Sequence, residues 1–261
     1  MAKFSNESAA VPLVELRQVT QRFGPFTALS HMSLQLYAGE RVALVGSSGA
    51  GKSTLLALLN GTLVPTQGDV WVLGANLGRL SERQRRRIQR QVGTIYQQFH
   101  LVDPLRVVHN VNAGHLGRWP WWKAALSLAY PLEREAAIAA LNRVGIPEKL
   151  YARTDSLSGG QQQRVAIARV LVQNPQIILA DEPVSSLDPE RSREVMDLLR
   201  NLVIEDGKTL VVSLHSVELA RSYCDRMIGL RQGHIVFDAP TQHISDDMLA
   251  RLYALTDLPG E

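Results

Sequence analysis

The stretch RVALVGSSGAGKSTLLALL, residues 41–59, decides the fold of this chain. An apolar strand at 41–45 runs into a glycine-rich loop of the pattern G-x-x-x-x-G-K-[ST], and a helix follows at 54–59. Small residues in such a loop let backbone N–H groups wrap a phosphate at a helix N-terminus, where the macrodipole favours anions. The predicted phosphate-binding loop consists of Gly46, Ser47, Ser48, Gly49, Ala50, Gly51, Lys52, Ser53 and Thr54.

Two side chains of this loop have a predicted task in binding a nucleotide. We expect the Lys52 ammonium to reach the β- and γ-phosphates and the Ser53 hydroxyl to ligate Mg²⁺. The alternative is a glycine-rich strand-to-helix turn that binds nothing. The Lys-Ser pair, with a strand before the loop and a helix after it, favours the nucleotide site.

A second apolar strand ends in two carboxylates. The run at 177–180 is typical of a central parallel strand, and it places Asp181 and Glu182 at its carboxyl end, the edge where open α/β sheets bind ligands. We expect Asp181 to hold Mg²⁺ through its water shell and Glu182 to polarise the attacking water as general base. Alone, the pair could be an acidic cap on a turn at Pro183. Together with a phosphate-binding loop, the pair favours catalysis.

The stretch LSGGQQQR, residues 157–164, lies between these two segments. Ser158 and Gln161 have the spacing of a capping box, which predicts the start of a helix. A capped helix start that contains Gly159 and Gly160 presents free N–H groups to an anion. We interpret this anion as the γ-phosphate of an ATP held by a second protomer.

With these three segments in this order, the chain resembles the ATP-binding cassette (ABC) ATPases, the motor subunits of membrane transporters. The resemblance implies that residues 157–164 are the family's signature motif, with Ser158, Gly159, Gly160 and Gln161 contacting ATP in trans. It also implies that Gln97 senses Mg²⁺ and the γ-phosphate, so that the metal set is Ser53, Gln97 and Asp181.

Three further positions match the family in order and spacing. The resemblance implies that His215 is the switch histidine that contacts the γ-phosphate and acts with Glu182 and Lys52 in catalysis. Phe23 lies where the family commonly has a tyrosine stacked on adenine; phenylalanine lacks the hydroxyl but keeps the π-face. Taken singly, a phenylalanine such as Phe23 more often belongs to the core than to a cofactor site. The loop that links the two active sites across the dimer is Ser185, Ser186, Leu187 and Asp188.

The expected fold class is α/β: a P-loop ATPase core of the ABC type with a mainly parallel sheet, an N-terminal antiparallel β subdomain and an inserted helical subdomain. We divide the single domain, 1–261, into a catalytic core at 1–97 and 159–245, a helical signature subdomain at 98–158 and a short tail at 246–261. Strands and helices alternate again after residue 160, as a parallel sheet with right-handed crossovers requires.

The coarse pattern predicts the elements around these motifs. They are strands at 13–20, 29–37 and 70–73, a helix from Ser81, a helix at 133–144, a strand at 209–214, a hairpin of 226–231 and 234–237, and a short helix at 241–255.

Composition agrees with this interpretation. Of the 261 residues, 45% are hydrophobic and 20% charged, which is typical of a soluble globular protein, and no window approaches 18 uncharged apolar residues. The N-terminus lacks the apolar core of a secretory signal. Cys224 is the only cysteine, which excludes an internal disulfide and fits a reducing compartment.

A net charge of +3 raises the question of nucleic-acid binding. The arginines to consider are Arg83, Arg85, Arg86, Arg87 and Arg90. They lie on the helix predicted from Ser81, spread around it and without interleaved aromatic residues, so we expect no nucleic-acid partner. A solvated helix face and proximity to anionic lipid headgroups remain as alternatives.

The segment from Trp119 to Trp122 contains three of the four tryptophans. It could form a hairpin packed on the helical subdomain, or an exposed patch that meets the membrane subunit or lipid headgroups.

Within the family, the chain is most similar to the ATPases of phosphonate importers. The similarity is carried by residues 96–102, the insert at 116–131, residues 177–189 and the tail at 225–230. His100 and His109 depart from it, since asparagine and glutamate are expected there. Both lie beside the groove that, in this family, receives a helix of the membrane subunit.

The resemblance implies a motor that couples ATP hydrolysis to uptake of phosphonate-type oxyanions, with ATP and Mg²⁺ as ligands. Its partners would be a second copy of itself, two integral membrane permease subunits and, indirectly, a solute-binding protein. Its place would be the cytoplasmic face of the inner membrane, as a peripheral subunit. The alternatives are a motor for another small solute and one for an exporter or a lipid-extraction complex. An ATPase of DNA repair or translation would bring a coiled-coil insert or a second cassette, and neither is present.

Overall fold

The computed structural model of the chain describes residues 11–185 and 187–254. The expectations for Ser186 and for the tail beyond residue 254 lie outside the described residues. The strands are β1 Val14–Phe23, β2 Phe26–Leu36, β3 Arg41–Val45, β4 Gln67–Val72, β5 Ala75–Asn76, β6 Val92–Ile95, β7 Ile177–Asp181, β8 Thr209–Leu214, β9 Arg226–Arg231 and β10 His234–Pro240. The helices are α1 Lys52–Leu59, α2 Glu82–Gln89, α3 Val107–Asn112, α4 Trp121–Ala129, α5 Arg134–Arg143, α6 Gly159–Gln173, α7 Pro189–Glu205, α8 Val217–Tyr223 and α9 Asp246–Tyr253.

A six-stranded sheet in the order β10-β9-β3-β8-β7-β6 forms the centre of the molecule. All neighbours in it are parallel except the hairpin β9–β10, so the predicted mainly parallel sheet is confirmed. Every residue of β8 is buried, and so are the four apolar residues at the start of β7. Continuous apolar runs are required there because helices cover both faces of such a sheet.

A second sheet, in the order β2-β1-β4-β5, is antiparallel throughout and confirms the predicted N-terminal β subdomain. Its strands β1 and β2 extend further toward each other than predicted, since they meet at a tight turn after Phe23. Leu16 and Leu29 of this sheet share one apolar cluster with Leu55 of α1 and Leu44 of β3. This cluster joins the two sheets around the helix that follows the phosphate-binding loop.

The polypeptide between β6 and β7 is helical, as predicted. It contains the helices α3 to α6. Among its described residues, the only β-structure is an isolated bridge between Arg106 and Arg153. Helix α6 packs against both α3 and α5, with Val165, Val111 and Leu141 fully buried. Our division of the domain at residues 97 and 159 stays a prediction.

The tryptophan segment forms the short helix α4 and no hairpin. Trp121 is 83% exposed and Trp122 56% exposed, so the prediction that these two side chains pack on the subdomain is wrong. Trp119 is half-buried and stacks on His115 with 5.1 Å between the ring centroids. The exposed-patch alternative therefore holds for the start of α4.

The arginines of α2 divide between two sides of the helix. Arg85 is half-buried, whereas Arg83, Arg86, Arg87 and Arg90 are exposed. At about 100° per residue, these four lie within an arc of roughly 100°, and Arg85 lies outside that arc, so the five arginines are distributed unevenly around the helix. In the described part of the chain, no helix is long and apolar enough to span a bilayer.

An ion pair at the start of β9 generates a pH-dependent prediction. Arg41 of β3 donates two hydrogen bonds to the Asp225 carboxylate, at 2.9 and 2.5 Å, and this contact holds the pKa of Asp225 below its ordinary value of 3.8. Because the side chain of Asp225 is 54% exposed, we expect Asp225→Asn to cost no more than about 1 kcal/mol at neutral pH.

The pKa of Asp225 is depressed in the folded state, so its stabilising contribution is complete above 3.8 and is lost as pH falls through the folded-state pKa. Urea unfolding of wild type and Asp225→Asn at neutral and acidic pH measures how much Asp225 contributes to the free energy of unfolding. Asp103→Asn is the matched control, because no ion pair of Asp103 is found in the described residues. If the difference in unfolding free energy between wild type and Asp225→Asn is as large in acid as at neutral pH, the ion pair with Arg41 is not its cause.

Candidate functional site

The phosphate-binding loop connects β3 to α1 and is confined by two neighbouring strands. Gly46 has φ 149°, and a Cβ atom there would lie 2.1 Å from the backbone oxygen of Leu230 in β9. Gly51 has φ 102°, and a Cβ atom there would lie 2.8 Å from the oxygen of Ala28 in β2. Both positions require glycine because a side chain would overlap with backbone atoms of another strand.

The loop leaves backbone donors available for an anion. Gly51 is the N-cap of α1 and offers no side chain to the first turn of the helix. Among the described residues, no acceptor is bonded to the N–H groups of Ser48, Gly49 or Gly51. Free N–H groups at a helix N-terminus match the requirements of a bound phosphate, as predicted for this loop.

Lys52 lies across the loop. Its ammonium donates to the backbone oxygens of Gly46, at 2.9 Å, and Ser47, at 3.1 Å, and lies 3.8 Å from Glu182 Oε1. The side chain is 4% exposed. Burial lowers the pKa of Lys52, and the carboxylates of Glu182 and Asp181 oppose this shift. The cation is thus positioned beside the loop and the acidic strand end together.

The two carboxylates at the end of β7 have different environments. Ser213 of β8 donates from Oγ to Asp181 Oδ1 at 2.8 Å and accepts from the backbone N–H of Glu182 at 2.8 Å. Glu182 itself has φ 47°, a left-handed conformation that is uncommon outside glycine. Sequence reasoning missed Ser213, because a serine within an apolar strand gives no motif signal.

Glu182 lies between a cation and a histidine. Its Oε1 is 2.7 Å from Nε2 of His215 and 3.8 Å from the ammonium of Lys52. The Glu182 side chain is 18% exposed and the His215 side chain 44% exposed, so the pair is open toward solvent on the histidine side. The structure thus brings together the three residues that the sequence nominated for catalysis.

Gln97 belongs to the same edge of the sheet. Its amide donates to Ser185 Oγ at 3.3 Å, and Ser185 Oγ donates to the backbone oxygen of Glu182 at 3.1 Å. A chain of hydrogen bonds thus connects the loop after β6 with the loop after β7.

Arg169 of α6 holds the segment that follows Gln97. Its guanidinium donates to the backbone oxygens of Phe99 and His100, both at 2.7 Å. Burial lowers the pKa of Arg169. Phe99 and His100 have φ 58° and 47°, and the fixed guanidinium satisfies the carbonyls of this unusual turn. The sequence analysis did not identify Arg169, because in the sequence it resembles any other polar position on a helix.

The predicted signature segment forms the capped start of α6. Ser158 Oγ accepts from the N–H of Gln161 at 3.4 Å, and Gln161 Oε1 accepts from the N–H of Ser158 at 3.1 Å, so the predicted capping box is present. A Cβ atom at Gly159 or Gly160 would meet nothing within 4 Å. Within the described residues no hydrogen bond joins this segment to the phosphate-binding loop.

The remaining predicted positions are at the periphery. Phe23 is 47% exposed at the turn between β1 and β2, so its ring is available for stacking and does not belong to the core. Asp188 is the N-cap of α7 and accepts from the N–H of Arg191 at 3.0 Å, which lowers the pKa of Asp188. Leu187 and Ser185 line a cavity together with Glu182.

The donor set fits Mg²⁺ only in combination with a nucleotide. In the part of the chain that the structure describes, no group of three or more His, Cys, Asp or Glu side chains could hold a metal ion. Ser53, Gln97 and Asp181 instead offer a hydroxyl, an amide and a carboxylate. Mg²⁺ prefers such oxygen ligands and completes its octahedron with phosphate oxygens and water.

Comparison with known proteins extends this description. Residues 29–185 match the family model described as "ABC transporter". The chain is 45% identical to phosphonates import ATP-binding protein PhnC 1 of Pseudomonas aeruginosa, over 92% of this chain and 88% of that protein. It is 43% identical to the phosphonates import ATP-binding protein PhnC of Lactobacillus delbrueckii, over 93% of this chain and 95% of that protein.

A solved structure is also similar to this chain. It is the dimeric, post-hydrolysis state of the ATP-binding cassette MJ0796 bound to ADP and Pi, with a TM-score of 0.76 and 33% sequence identity. The alignment covers 88% of this chain and 100% of that chain.

The close approach of β9 to the loop generates a prediction. We expect Gly46→Ala to destabilise the fold by about 2 kcal/mol or more and to abolish nucleotide binding, because the new methyl group overlaps with the oxygen of Leu230. Gly49→Ala is the matched control: φ there is 79°, but a Cβ atom meets nothing within 4 Å, so only backbone strain of about 1 kcal/mol is expected. Urea unfolding and titration with a fluorescent ATP analogue compare the two variants. Equal losses in both would mean that the contact with β9 is unimportant.

Proposed function

This chain belongs to the ABC transporter family, and from that membership we propose that it is the ATP-hydrolysing motor subunit of an importer for phosphonate-type oxyanions. The observation that carries the activity is Glu182, which lies 2.7 Å from His215 and 3.8 Å from Lys52 at the edge of the sheet where the phosphate-binding loop begins. The identity of 43–45% with two phosphonate import ATP-binding proteins supports the class of cargo.

ATP binds to this chain through groups of two kinds. The free N–H groups of the loop and the ammonium of Lys52 hold the phosphates, and the exposed ring of Phe23 stacks on adenine. The capped helix start at Ser158, Gly159, Gly160 and Gln161 contacts the γ-phosphate of the ATP held by a second copy.

The second copy completes the site. Two protomers form a two-fold, isologous dimer, so each ATP lies between one protomer's loop and the other's signature segment. ATP makes both sets of contacts only in the closed dimer, and its binding free energy therefore shifts the population toward closure. The similar cassette MJ0796 was solved as a dimer, which supports this arrangement.

Hydrolysis depends on the position of Glu182. Its carboxylate accepts a proton from the attacking water and orients that water in line with the γ-phosphate. His215, the ammonium of Lys52 and the signature N–H groups offset the negative charge that develops on the transferred phosphoryl group. Ser53, Gln97 and Asp181 would hold Mg²⁺ together with the phosphates, and the ion would supply further positive charge. Once the γ-phosphate is cleaved, the bridging contacts are gone and the dimer reopens.

In the proposed transporter, the motor acts on separate membrane subunits. We propose that two permease subunits dock against the helical subdomain, that a solute-binding protein delivers the cargo to them, and that the motor is peripheral on the cytoplasmic face of the inner membrane. The names of the relatives, which are import ATP-binding proteins, support this assembly.

The two histidines that depart from the phosphonate subgroup are accommodated locally. His100 stacks on Tyr96 with 4.4 Å between the ring centroids, and Nδ1 of His109 lies 3.0 Å from the backbone oxygen of Ser127 in α4. Both side chains thus make intramolecular contacts, which is compatible with the phosphonate assignment.

Replacing the general base tests the activity. We expect Glu182→Gln to bind ATP, to accumulate as the closed dimer and to hydrolyse ATP at least ~100-fold more slowly, because the amide cannot accept the proton of water. Phosphate release and size-exclusion chromatography with ATP measure the two effects. Glu190→Gln, an exposed carboxylate in the first turn of α7, is the control and should behave as wild type. Near-normal turnover of Glu182→Gln would disprove the role of Glu182.

Growth of the source organism tests the cargo. We expect a chromosomal Glu182→Gln variant to fail on a phosphonate as the sole phosphorus source and to grow normally on phosphate, since only the first depends on this motor. The Glu190→Gln strain should grow on both. Equal growth of the Glu182→Gln strain on both sources, with no duplicate transporter present, would show that the cargo is a different solute.

A further inference from the structure

Gln163 belongs to the signature segment but is hidden from solvent. Its exposed fraction is 0%, whereas the preceding residues Gln161 and Gln162 are half-buried. A side chain without accessible surface cannot contact ATP or a second protomer. The task of Gln163 must therefore lie inside its own chain.

The Gln163 amide reaches the turn that follows the general base. Its Nε2 donates to the backbone oxygen of Pro183, the residue after Glu182. Among the described residues, its Oε1 has no hydrogen-bond partner. A buried amide oxygen without a partner destabilises a fold, and an apolar side chain of similar size would avoid that cost. The bond to Pro183, and not packing, therefore explains an amide at this position.

The turn at Glu182 requires restraint from several sides. Glu182 has φ 47°, a left-handed conformation that residues other than glycine keep only where their surroundings fix it. From the neighbouring strand, Ser213 Oγ accepts from the N–H of Glu182 at 2.8 Å. Within the turn, Ser185 donates to the oxygen of Glu182 from its N–H, at 3.3 Å, and from its Oγ, at 3.1 Å. Gln163 adds a contact from a helix, one residue further along the turn.

This restraint determines where the carboxylate of Glu182 points. Its Oε1 lies 2.7 Å from Nε2 of His215 and 3.8 Å from the ammonium of Lys52. A rotation of the peptide that follows Glu182 would turn the side chain away from both groups. Misplacing a reacting group by about 1 Å can cost on the order of 100-fold in rate.

We propose that Gln163 is a positioning residue for Glu182: its hydrogen bond to Pro183 holds the general base in the orientation that activates water. The inference rests on the proposed function, in which Glu182 is the general base. Ser158 lies five residues before Gln163, about 7.5 Å along the axis of α6. The same bond thus connects the general base to the helix start that contacts the ATP held by a second copy.

ATP hydrolysis by the purified full-length chain tests the inference. The variant is Gln163→Met, because methionine has a similar length but no donor; Gln163→Leu is a second variant without a donor. The matched control is Gln173→Met, at the other end of α6. The Gln173 amide also donates to backbone oxygens, those of Gln89, Arg90 and Val92 at 3.2, 3.2 and 3.1 Å, but none of them belongs to the ATP site. Binding of a fluorescent ATP analogue, ATP-driven dimerisation and urea unfolding are measured for every protein.

We expect Gln163→Met to lower kcat at least ~10-fold, since a misoriented general base loses part of its contribution. The KM for ATP, analogue binding and dimerisation should stay within about twofold of wild type, because every contact with ATP remains in place. The urea midpoint should stay close to that of wild type, since the unpartnered oxygen is removed together with the donor. Gln173→Met should keep the kcat of wild type while its urea midpoint falls.

A double mutant tests whether Gln163 acts through Glu182. In the Glu182→Gln background no general base is left to position, so Gln163→Met should slow hydrolysis further by less than about twofold. Phosphate release in a single turnover, with the protein in excess over ATP, measures this slow hydrolysis.

A Gln163→Met protein with the kcat of wild type overturns the inference, as does a loss of equal size with and without the Glu182 carboxylate. Loss of kcat, analogue binding and stability together in both Gln163 variants would show that Gln163 only packs, and would overturn the inference as well. A wild type that hydrolyses no ATP would contradict the proposed function and with it this inference, whereas normal hydrolysis by both wild type and Gln163→Met contradicts the inference alone.

Discussion

The site depends on the close approach of three backbones around the phosphate-binding loop. Strand β9 passes so near Gly46, and β2 so near Gly51, that neither position has room for a side chain. The turn between β9 and β10 completes the enclosure: the N–H of Gly233 donates to the oxygen of Ala50 at 3.1 Å, and its oxygen accepts from the N–H of Ser30 at 3.0 Å. The loop is therefore held by both sheets, and a fixed loop can direct its N–H groups toward an anion before the anion binds.

Helix α6 connects the parts that have to act together. Its first turn is the signature segment, Gln163 on its next turn donates to the backbone oxygen of Pro183 after Glu182, and Arg169 holds the turn after Gln97. One rigid helix thus contacts the loops that follow β6 and β7. Ser158, at the start of this helix, is thereby connected to both loops through one continuous helix.

Electrostatic complementarity is concentrated at the end of β7. Two carboxylates at adjacent positions would repel each other if both faced the same way, but β7 ends at Asp181, and Glu182 follows it with φ 47° and has different partners. Asp181 is bonded to Ser213, whereas Glu182 has Lys52 and His215 as neighbours. The different partners are consistent with a metal-binding task for the first and a proton-accepting task for the second.

The local sequence determined the elements and most of the candidate site. The glycine pattern at 46–51, the capping box at Ser158 and the apolar runs of β7 and β8 all depend on short-range spacing, and all were predicted within a few residues. The nominated catalytic residues come from the ends of parallel strands and from the loop after β3, which share one edge of the sheet by topology.

Only the tertiary structure decided which side chains are buried and which distant residues are hydrogen-bonded. Whether Trp121 and Trp122 are covered depends on which helix packs over α4, and the apolar run had no periodicity that could predict it. Ser213 and Arg169 carried no motif signal, since their partners lie more than 30 residues away in the chain. Side-chain chemistry and spacing act locally and can be read from the sequence, whereas burial and long-range hydrogen bonds result from the packing of elements distant in the chain.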